Sequence, residues 1–254
     1  MGALEGKIAV VTGASSGSGL GIARRFVEEG ATVLLLARGG ERLARTATDL
    51  GPGAVPFITD VGDPGSVGRT FAEVGERFGR LDILVNNAAV YRPCRVELLS
   101  DLDIEQQMRT NFAGPVYTCR AAIPLLRAAG GGDIVNTSSE STLHPFPMLS
   151  MYVATKAALE AFALVLTQEV RDDDIRVTTV IQGAANGAGN GSTGWEWDAE
   201  HGAAALDLWT KSGLMSQALG RKGGQDVQAI GDVHLFIVTR PRTQKMDTVY
   251  CRSF

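Results

Sequence analysis

The chain has 254 residues, with 24 basic and 28 acidic side chains and a formal net charge of −4. Its Lys and Arg residues are scattered rather than gathered into a stripe, which argues against a nucleic-acid partner. Cys94, Cys119 and Cys251 are odd in number and include no Cys-x-x-Cys pair, which excludes a disulfide framework and reads as reduced packing thiols.

The N-terminus enters an apolar strand without a basic start or cleavage site, and no apolar run approaches the roughly 20 residues of a membrane span. The expectation is a cytoplasmic protein with no membrane contact. This length fits one α/β domain over residues 1–254, and no linker or repeat divides it.

In chain order, the first strand spans Lys7 to Thr12 and runs into Thr12-Gly13-Ala14-Ser15-Ser16-Gly17-Ser18-Gly19, which opens a helix from Leu20 to Glu29. Gly13, Gly17 and Gly19 allow a tight turn and close approach of a phosphate. The helix N-terminus adds free N–H groups and the positive end of its dipole, so Gly13 to Gly19 form a candidate pyrophosphate site. A glycine turn alone also serves ordinary bends; its place between first strand and first helix is what raises its weight.

The second strand, Thr32 to Ala37, ends on Arg38. In dinucleotide folds an acidic residue near this point holds the ribose 2′-hydroxyl of NAD. A guanidinium can hydrogen-bond a 2′-phosphate instead, so the expected cofactor is NADP. The plain alternative is a surface arginine at a strand end.

Helices from Arg42 to Leu50, Ser66 to Phe78, Ile104 to Ala129 and Tyr152 to Arg171 alternate with strands Ala54 to Thr59, Ile83 to Asn86, Asp133 to Thr137 and Arg176 to Ile181. Such alternation predicts βαβ units in a doubly wound parallel sheet, a Rossmann-type α/β fold. Runs such as Val33 to Leu36 are apolar throughout, as expected where helices cover both sheet faces. Gly183 to Gly194 breaks the pattern and opens a candidate substrate lid over about 183–215, a solvated loop being the alternative.

Tyr152 and Lys156 stand at helical i, i+4 spacing, with Ser139 and Asn111 upstream. An ammonium beside a phenol favours phenolate, but bringing tyrosine from about 10 to near 7 takes roughly 4 kcal/mol, more than one lysine supplies. A second positive charge is therefore expected nearby. His144, His201 and His234 lack metal-ligand spacing, so no metal is expected. Tyr91, Phe146, Met148, Trp195 and Trp197 are candidate pocket walls or simply core.

Taken together these residues resemble the short-chain dehydrogenase/reductase family over nearly the whole chain. The turn from Thr12 to Gly19 matches its Thr-Gly-x-x-x-Gly-x-Gly signature, and Asn86-Asn87-Ala88-Ala89 resembles its Asn-Asn-Ala-Gly element. The resemblance implies that Asp60 and Val61 contact the adenine and that Asn87, Ala88 and Gly183 touch the cofactor. It further implies a catalytic tetrad of Asn111, Ser139, Tyr152 and Lys156. The tyrosine would move the proton, the serine would orient the substrate oxygen, and Lys156 would hold the nicotinamide ribose. Asn111 would sit at a kink whose freed carbonyl holds a relay water, and the oxidised nicotinamide would be the second charge.

Phe236 to Ser253 resembles the branch of NADP-dependent hydroxy-acid and clavulanate-type dehydrogenases. Departures from the family pattern are Ser18 for an aliphatic residue, Ala89 for glycine, and Gln182-Gly183 for Pro-Gly. Asn186, Asn190, Ser192 or Thr193 then stand in for the missing threonine beyond that pair.

The function implied is NADP-dependent hydride transfer on a small carbonyl or secondary alcohol, a hydroxy acid included, by a homo-oligomer that is a tetramer or else a dimer. Alternatives are a ketoreductase for substrates on acyl carrier protein and a non-catalytic NADP-binding regulator. Asp172-Asp173-Asp174 would repel an acidic carrier, which favours the small free substrate.

Overall fold

The computed structural model describes residues 2–186 and 197–254. Its strands are β1 (Ile8–Thr12), β2 (Thr32–Ala37), β3 (Ala54–Ile58), β4 (Ile83–Asn86), β5 (Gly132–Ser139), β6 (Ile175–Gln182) and β7 (Thr248–Cys251). They form one sheet in the order β3-β2-β1-β4-β5-β6-β7, with every pairing parallel. This is the expected doubly wound α/β fold.

The chain builds outward from β1 to β3, then returns to place β4 on the other side of β1. The crevice this reversal leaves at the carboxyl ends of β1 and β4 is where such sheets bind ligands.

Period-two alternation decides what covers each face. Val33 and Leu35 of β2 face a cluster with Ile22 and Phe26 of α1 (Gly17–Glu28) and Ile230 of α9 (Val227–Val238). Leu34 and Leu36 face the opposite cluster, with Phe71 of α3 (Pro64–Phe78), Leu126 of α5 (Gly114–Ala128) and Leu166 of α6 (Ser150–Glu169). All four β2 side chains are fully buried, each contributing about 1.5–3 kcal/mol relative to exposure.

The single helix expected from Ile104 to Ala129 is divided. Helix α4 (Asp101–Met108) starts on a Ser100–Asp103 capping box, and a π-helical turn over Arg109–Ala113 joins it to α5. Pro115 supplies the reason: it has no N–H to offer the Asn111 carbonyl four residues back, so the α-helical ladder cannot continue there.

Strand β7 and helices α7 (Ala199–Lys211), α8 (Leu214–Leu219) and α9 were not read from the sequence. The remaining helix, α2 (Gly40–Leu50), falls within two residues of its expected start.

Helix α6 corrects a second expectation. With 20 residues and a mean hydropathy of 1.3 it is long and apolar enough to cross a membrane. Its sheet side, however, buries Thr155, Lys156, Leu159 and Ala163 against the protein, while Leu164 and Val165 on the other side are 62% and 56% exposed. It is a core helix with a bare apolar outer face.

The acidic triplet also reads differently once folded. Asp173 pairs with Arg127 at 2.7 Å and Asp174 with Arg242 at 3.1 Å, and the triplet precedes the first residue of β6, at the end of the sheet away from the crevice. Two of the three charges are thus paired and lie far from any ligand entrance, so they give no argument against an acidic carrier. Nearby, Arg176 holds Asp133 through two bonds of 2.7 and 3.1 Å and donates to the carbonyls of Arg240, Pro241 and Gln244. That guanidinium fastens the segment leading to β7 against β5 and β6.

His234, on α9, is fully buried; its Nδ1 lies 2.9 Å from the Ile230 carbonyl, and burial pushes its pKa from 6.5 down to about 4. The unfolded chain therefore takes up this proton before the folded one. The stability involved is fully present above pH 6.5 and is lost as pH falls towards 4, by on the order of 3 kcal/mol. Denaturant titrations of His234→Gln at several pH values should show a flatter acid limb than the wild type; equal slopes would assign the acid sensitivity elsewhere.

Candidate active site

The crevice is closed at its base by one hydroxyl. Thr12 Oγ1, at the end of β1, accepts from the backbone N–H groups of Asn87 (2.9 Å) and Ala88 (3.0 Å) just past β4, and donates to the Val85 carbonyl at 3.3 Å. Asn87 Nδ2 returns a bond to the Thr12 carbonyl at 3.0 Å. The glycine turn is packed onto this clasp. A Cβ on Gly13, whose φ is +68°, would stand 2.9 Å from Ala88 Cα, and one on Gly19 would stand 2.3 Å from the Gly13 carbonyl oxygen. Neither backbone contact can yield, so these positions require glycine.

Above the turn lies a cavity of about 890 Å³. One end is lined by Arg38, Asp60 and Val61, the middle by Gly13 and Ser15 to Ser18, and the far end by Ser139, Tyr152, Lys156 and Gly183. Asn87 and Ala88 line it as well. It thus gathers most of the residues singled out in the sequence; Gly19 closes the turn from behind and Asn111 lies beneath the far end.

Arg38 is exposed at the mouth, and a second guanidinium not anticipated from the sequence joins it: Arg42 lines the cavity and donates to Ser15 Oγ at 3.3 Å. Arg38 precedes α2 and Arg42 lies within it, so no helical spacing links them and the fold alone brings both to the mouth. Asp60 is tied locally, its Oδ1 accepting from Gly62 N at 2.9 Å.

At the far end α6 places Tyr152 and Lys156 one turn apart on the sheet side. Lys156 Nζ donates to the Thr137 carbonyl at 2.5 Å and lies 5.7 Å from the centre of the Tyr152 ring. Burial pushes the lysine down to about 8, against the opposing charge of Glu160 one turn further on. Burial likewise raises the Tyr152 phenol above its ordinary value, with a hydrogen bond from Ser139 acting the other way. Among these residues burial outweighs the Ser139 hydrogen bond, so the phenol stands above its ordinary value.

Asn111 sits on the π turn, fully buried, and its side chain is saturated. Oδ1 accepts from Val90 N and Nδ2 donates to Val90 O, both at 2.8 Å, and Nδ2 also reaches Thr155 Oγ1 at 3.1 Å. It locks the segment after β4 to α6 beside Lys156.

Two features of the far end escaped the sequence reading. Glu140, directly after Ser139, is 8% exposed, lines the cavity and accepts from Ala184 N at 3.3 Å. Burial raises its pKa, with Arg252 and His144 opposing. The other is a bond between two departures from the family pattern: Gln182 Nε2 donates to Ser18 Oγ at 2.9 Å.

Beyond them stands an aromatic wall. Tyr91 is 5.3 Å from Tyr152 and 5.4 Å from Trp197, and Trp209 on α7 is 5.4 Å from Phe146 and 6.3 Å from Trp197, centre to centre. Met148 packs against the same cluster. Asn190, Ser192, Thr193 and Trp195, with part of the expected lid, lie outside the described residues, whereas Asn186 lines the cavity. Among the described residues no cluster could hold a metal.

The donors fit a nicotinamide dinucleotide. Gly13 and Gly19, where a Cβ would strike backbone, leave the turn open to close approach of a pyrophosphate, and two guanidinium groups stand at one end of the cavity.

Known proteins share this chain's sequence pattern and fold. The sequence profile described as short chain dehydrogenase matches residues 7–194. Oxidoreductase asL5 of Sarocladium schorii is 34% identical over 177 residues, covering 70% of this chain and 71% of its own. The 11-beta-hydroxysteroid dehydrogenase 1A of Arabidopsis thaliana is 39% identical over 185 residues, 71% of this chain; the alignment spans only 52% of that longer relative. Among solved structures, L-sorbose reductase from Gluconobacter frateurii, complexed with NADPH and L-sorbose, superposes with a TM-score of 0.83 at 28% identity, covering 100% of this chain and 97% of that one.

Proposed function

This chain belongs to the short-chain dehydrogenase family, and we propose that it is an oxidoreductase working between NADP and a small ketone or secondary alcohol. The observation that carries the reading is the convergence of Ser139, Tyr152 and Lys156 at one end of a cavity whose middle is lined by a glycine turn and whose other end holds two arginines. NADP, when bound, supplies or takes up the hydride.

The residues of the chain do the rest. Arg38 and Arg42 hold a 2′-phosphate, and the N–H groups of the glycine turn hold the pyrophosphate. Asp60 and Val61 flank the adenine. Tyr152 Oη gives its proton to the substrate oxygen in reduction and removes it in oxidation, while Ser139 orients that oxygen. Lys156 holds the nicotinamide ribose, and the Asn111 carbonyl, released by Pro115, holds a water in the proton path.

Substrate choice is set by the far end of the cavity. The wall of Tyr91, Phe146, Trp197 and Trp209 suits an apolar body, and the buried Glu140 carboxylate beside Ser139 would repel an anionic group. These features favour a neutral carbonyl or alcohol over a hydroxy acid. A non-catalytic NADP-binding regulator would have no use for the Tyr152–Lys156 pair, and turnover of any ketone eliminates it.

Self-association is part of the proposal. Ala157, Ala161, Leu164 and Val165 form a bare face on α6, and Leu102 and Met108 on α4 are exposed as well. Covering such a surface in a homo-oligomer, a tetramer, removes it from water. Light scattering at micromolar concentration should give a multiple of the 26.8 kDa chain mass; a monomer would defeat this part of the reading.

Replacing Arg38 with Asp should weaken NADPH binding about 10- to 100-fold, the worth of a charge-assisted hydrogen bond, and shift preference towards NADH. Fluorescence titration with both cofactors decides it, and unchanged preference rejects NADP specificity through Arg38. In Tyr152→Phe, turnover should fall at least about a hundredfold with NADPH affinity nearly intact, since the proton is lost but little contact area. Activity within about tenfold of wild type would refute the proton role of Tyr152.

A further inference from the structure

Ser139 is the last residue of β5, and a 3₁₀ turn over Glu140–Thr142 follows it at once. The serine caps that turn. Its Oγ accepts from Ser141 N at 3.2 Å and from Ser141 Oγ at 2.9 Å, while its carbonyl accepts from Thr142 Oγ1 at 2.8 Å. One short turn thus holds both the side chain and the main chain of Ser139. Glu140 within the turn accepts from Ala184 N at 3.3 Å, which ties it in turn to the segment after β6.

A serine hydroxyl has two acceptor positions and one hydrogen that rotates to suit its surroundings. At Ser139 both acceptor positions are filled by one residue, so the hydrogen is left for a partner in the cavity that Ser139 and Tyr152 line together. Ser141 itself is 3% exposed, and among the described residues its hydroxyl is bonded to Ser139 alone.

Resting on the reading of Ser139 above as the group that orients the substrate oxygen, we propose that Ser141 is a positioning residue: it occupies the acceptor side of Ser139 Oγ and so directs the Ser139 hydrogen onto the substrate oxygen. A carbonyl oxygen accepts and cannot donate, so reduction needs Ser139 as a donor. With the Ser141 hydroxyl in place that direction is set before the substrate arrives, and no reorganisation is left for the moment of reaction. Without it one lone pair of Ser139 is open, a water can donate there, and the hydroxyl regains its freedom to turn away from the substrate.

The test is a double-mutant cycle. NADPH consumption is followed with three neutral ketones, cyclohexanone, acetophenone and phenanthrenequinone, in wild type, Ser139→Ala, Ser141→Ala and the double variant. Ser141→Ala should lower kcat about fivefold, equivalent to ~1 kcal/mol, with KM for the ketone and NADPH affinity within about twofold of wild type. Ser141→Thr keeps a hydroxyl on the same carbon and should recover turnover to within about twofold, whereas Ser141→Cys, similar in size but a weak donor, should behave like Ser141→Ala. In the Ser139→Ala background the Ser141→Ala step should cost less than about twofold, because the group it acts through is gone. Fluorescence titration with NADPH shows that each variant folds.

An equal loss in the Ser139→Ala background overturns the role of Ser141 alone, and so does full turnover by Ser141→Ala and Ser141→Cys. Loss of NADPH binding in both of those variants makes Ser141 a structural residue and overturns its positioning role as well. Turnover by Ser139→Ala within about twofold of wild type, or no reduction of any of the three ketones by wild type, overturns the reading of the site and this inference with it.

Discussion

The bond from the Thr12 hydroxyl to two consecutive backbone N–H groups fixes the relation between β1 and β4, and the rest of the site is built on that relation. These strands flank the point where the sheet reverses direction, so nothing in the hydrogen-bond ladder alone determines how their following loops meet. A threonine supplies what the ladder lacks: one oxygen that accepts twice and donates once. With Asn87 answering from the other side, the loop after β4 becomes the floor on which Gly13 and Gly19 rest. The close approach of backbone to ligand follows from that floor, and the helix dipole of α1 is aimed by it.

Electrostatics at the other end of the cavity are governed by desolvation. Burial moves Tyr152 up and Lys156 down, so in the free protein each is shifted towards its neutral form. Glu160 and Ser139 oppose those shifts without reversing them. Such a site is sensitive to any charge that enters it, because a low-dielectric environment amplifies each added charge.

What could be read in the sequence is what rests on local spacing. The glycine turn, the strand-end Arg38 and the Tyr152–Lys156 pair each occupy a few consecutive residues, and the cavity brings them together. Arg42 was not legible, because Arg38 lies outside α2 and only the fold brings the two guanidinium groups to one mouth. The Ser18–Gln182 bond was not legible, since each residue in isolation is only an oddity and the contact depends on how α1 crosses the sheet. Asp172 to Asp174 misled because a row of charges shows neither its arginine partners nor which end of the sheet it occupies. Helix α7 hides its buried face among Gly202, Ala205 and Trp209, too weak a stripe for periodicity to reveal, and β7 is only four residues long.

The π-helical turn between α4 and α5 also has a geometric effect on the two helices it joins. Each helical residue advances the side-chain direction by about 100°, so one residue beyond the α-helical count rotates everything downstream by that angle. Before the turn the buried positions are Asp103 and Gln107; after it they are Thr118, Cys119, Ala122 and Leu126, which pack on the sheet. The extra residue acts as a phase shifter that lets one continuous stretch of chain present a polar stripe to one neighbour and an apolar stripe to another. Chain length between Asp101 and Ala128 therefore sets which face of α5 meets the core. A one-residue deletion there would leave the helices intact while turning the wrong face of α5 towards the core.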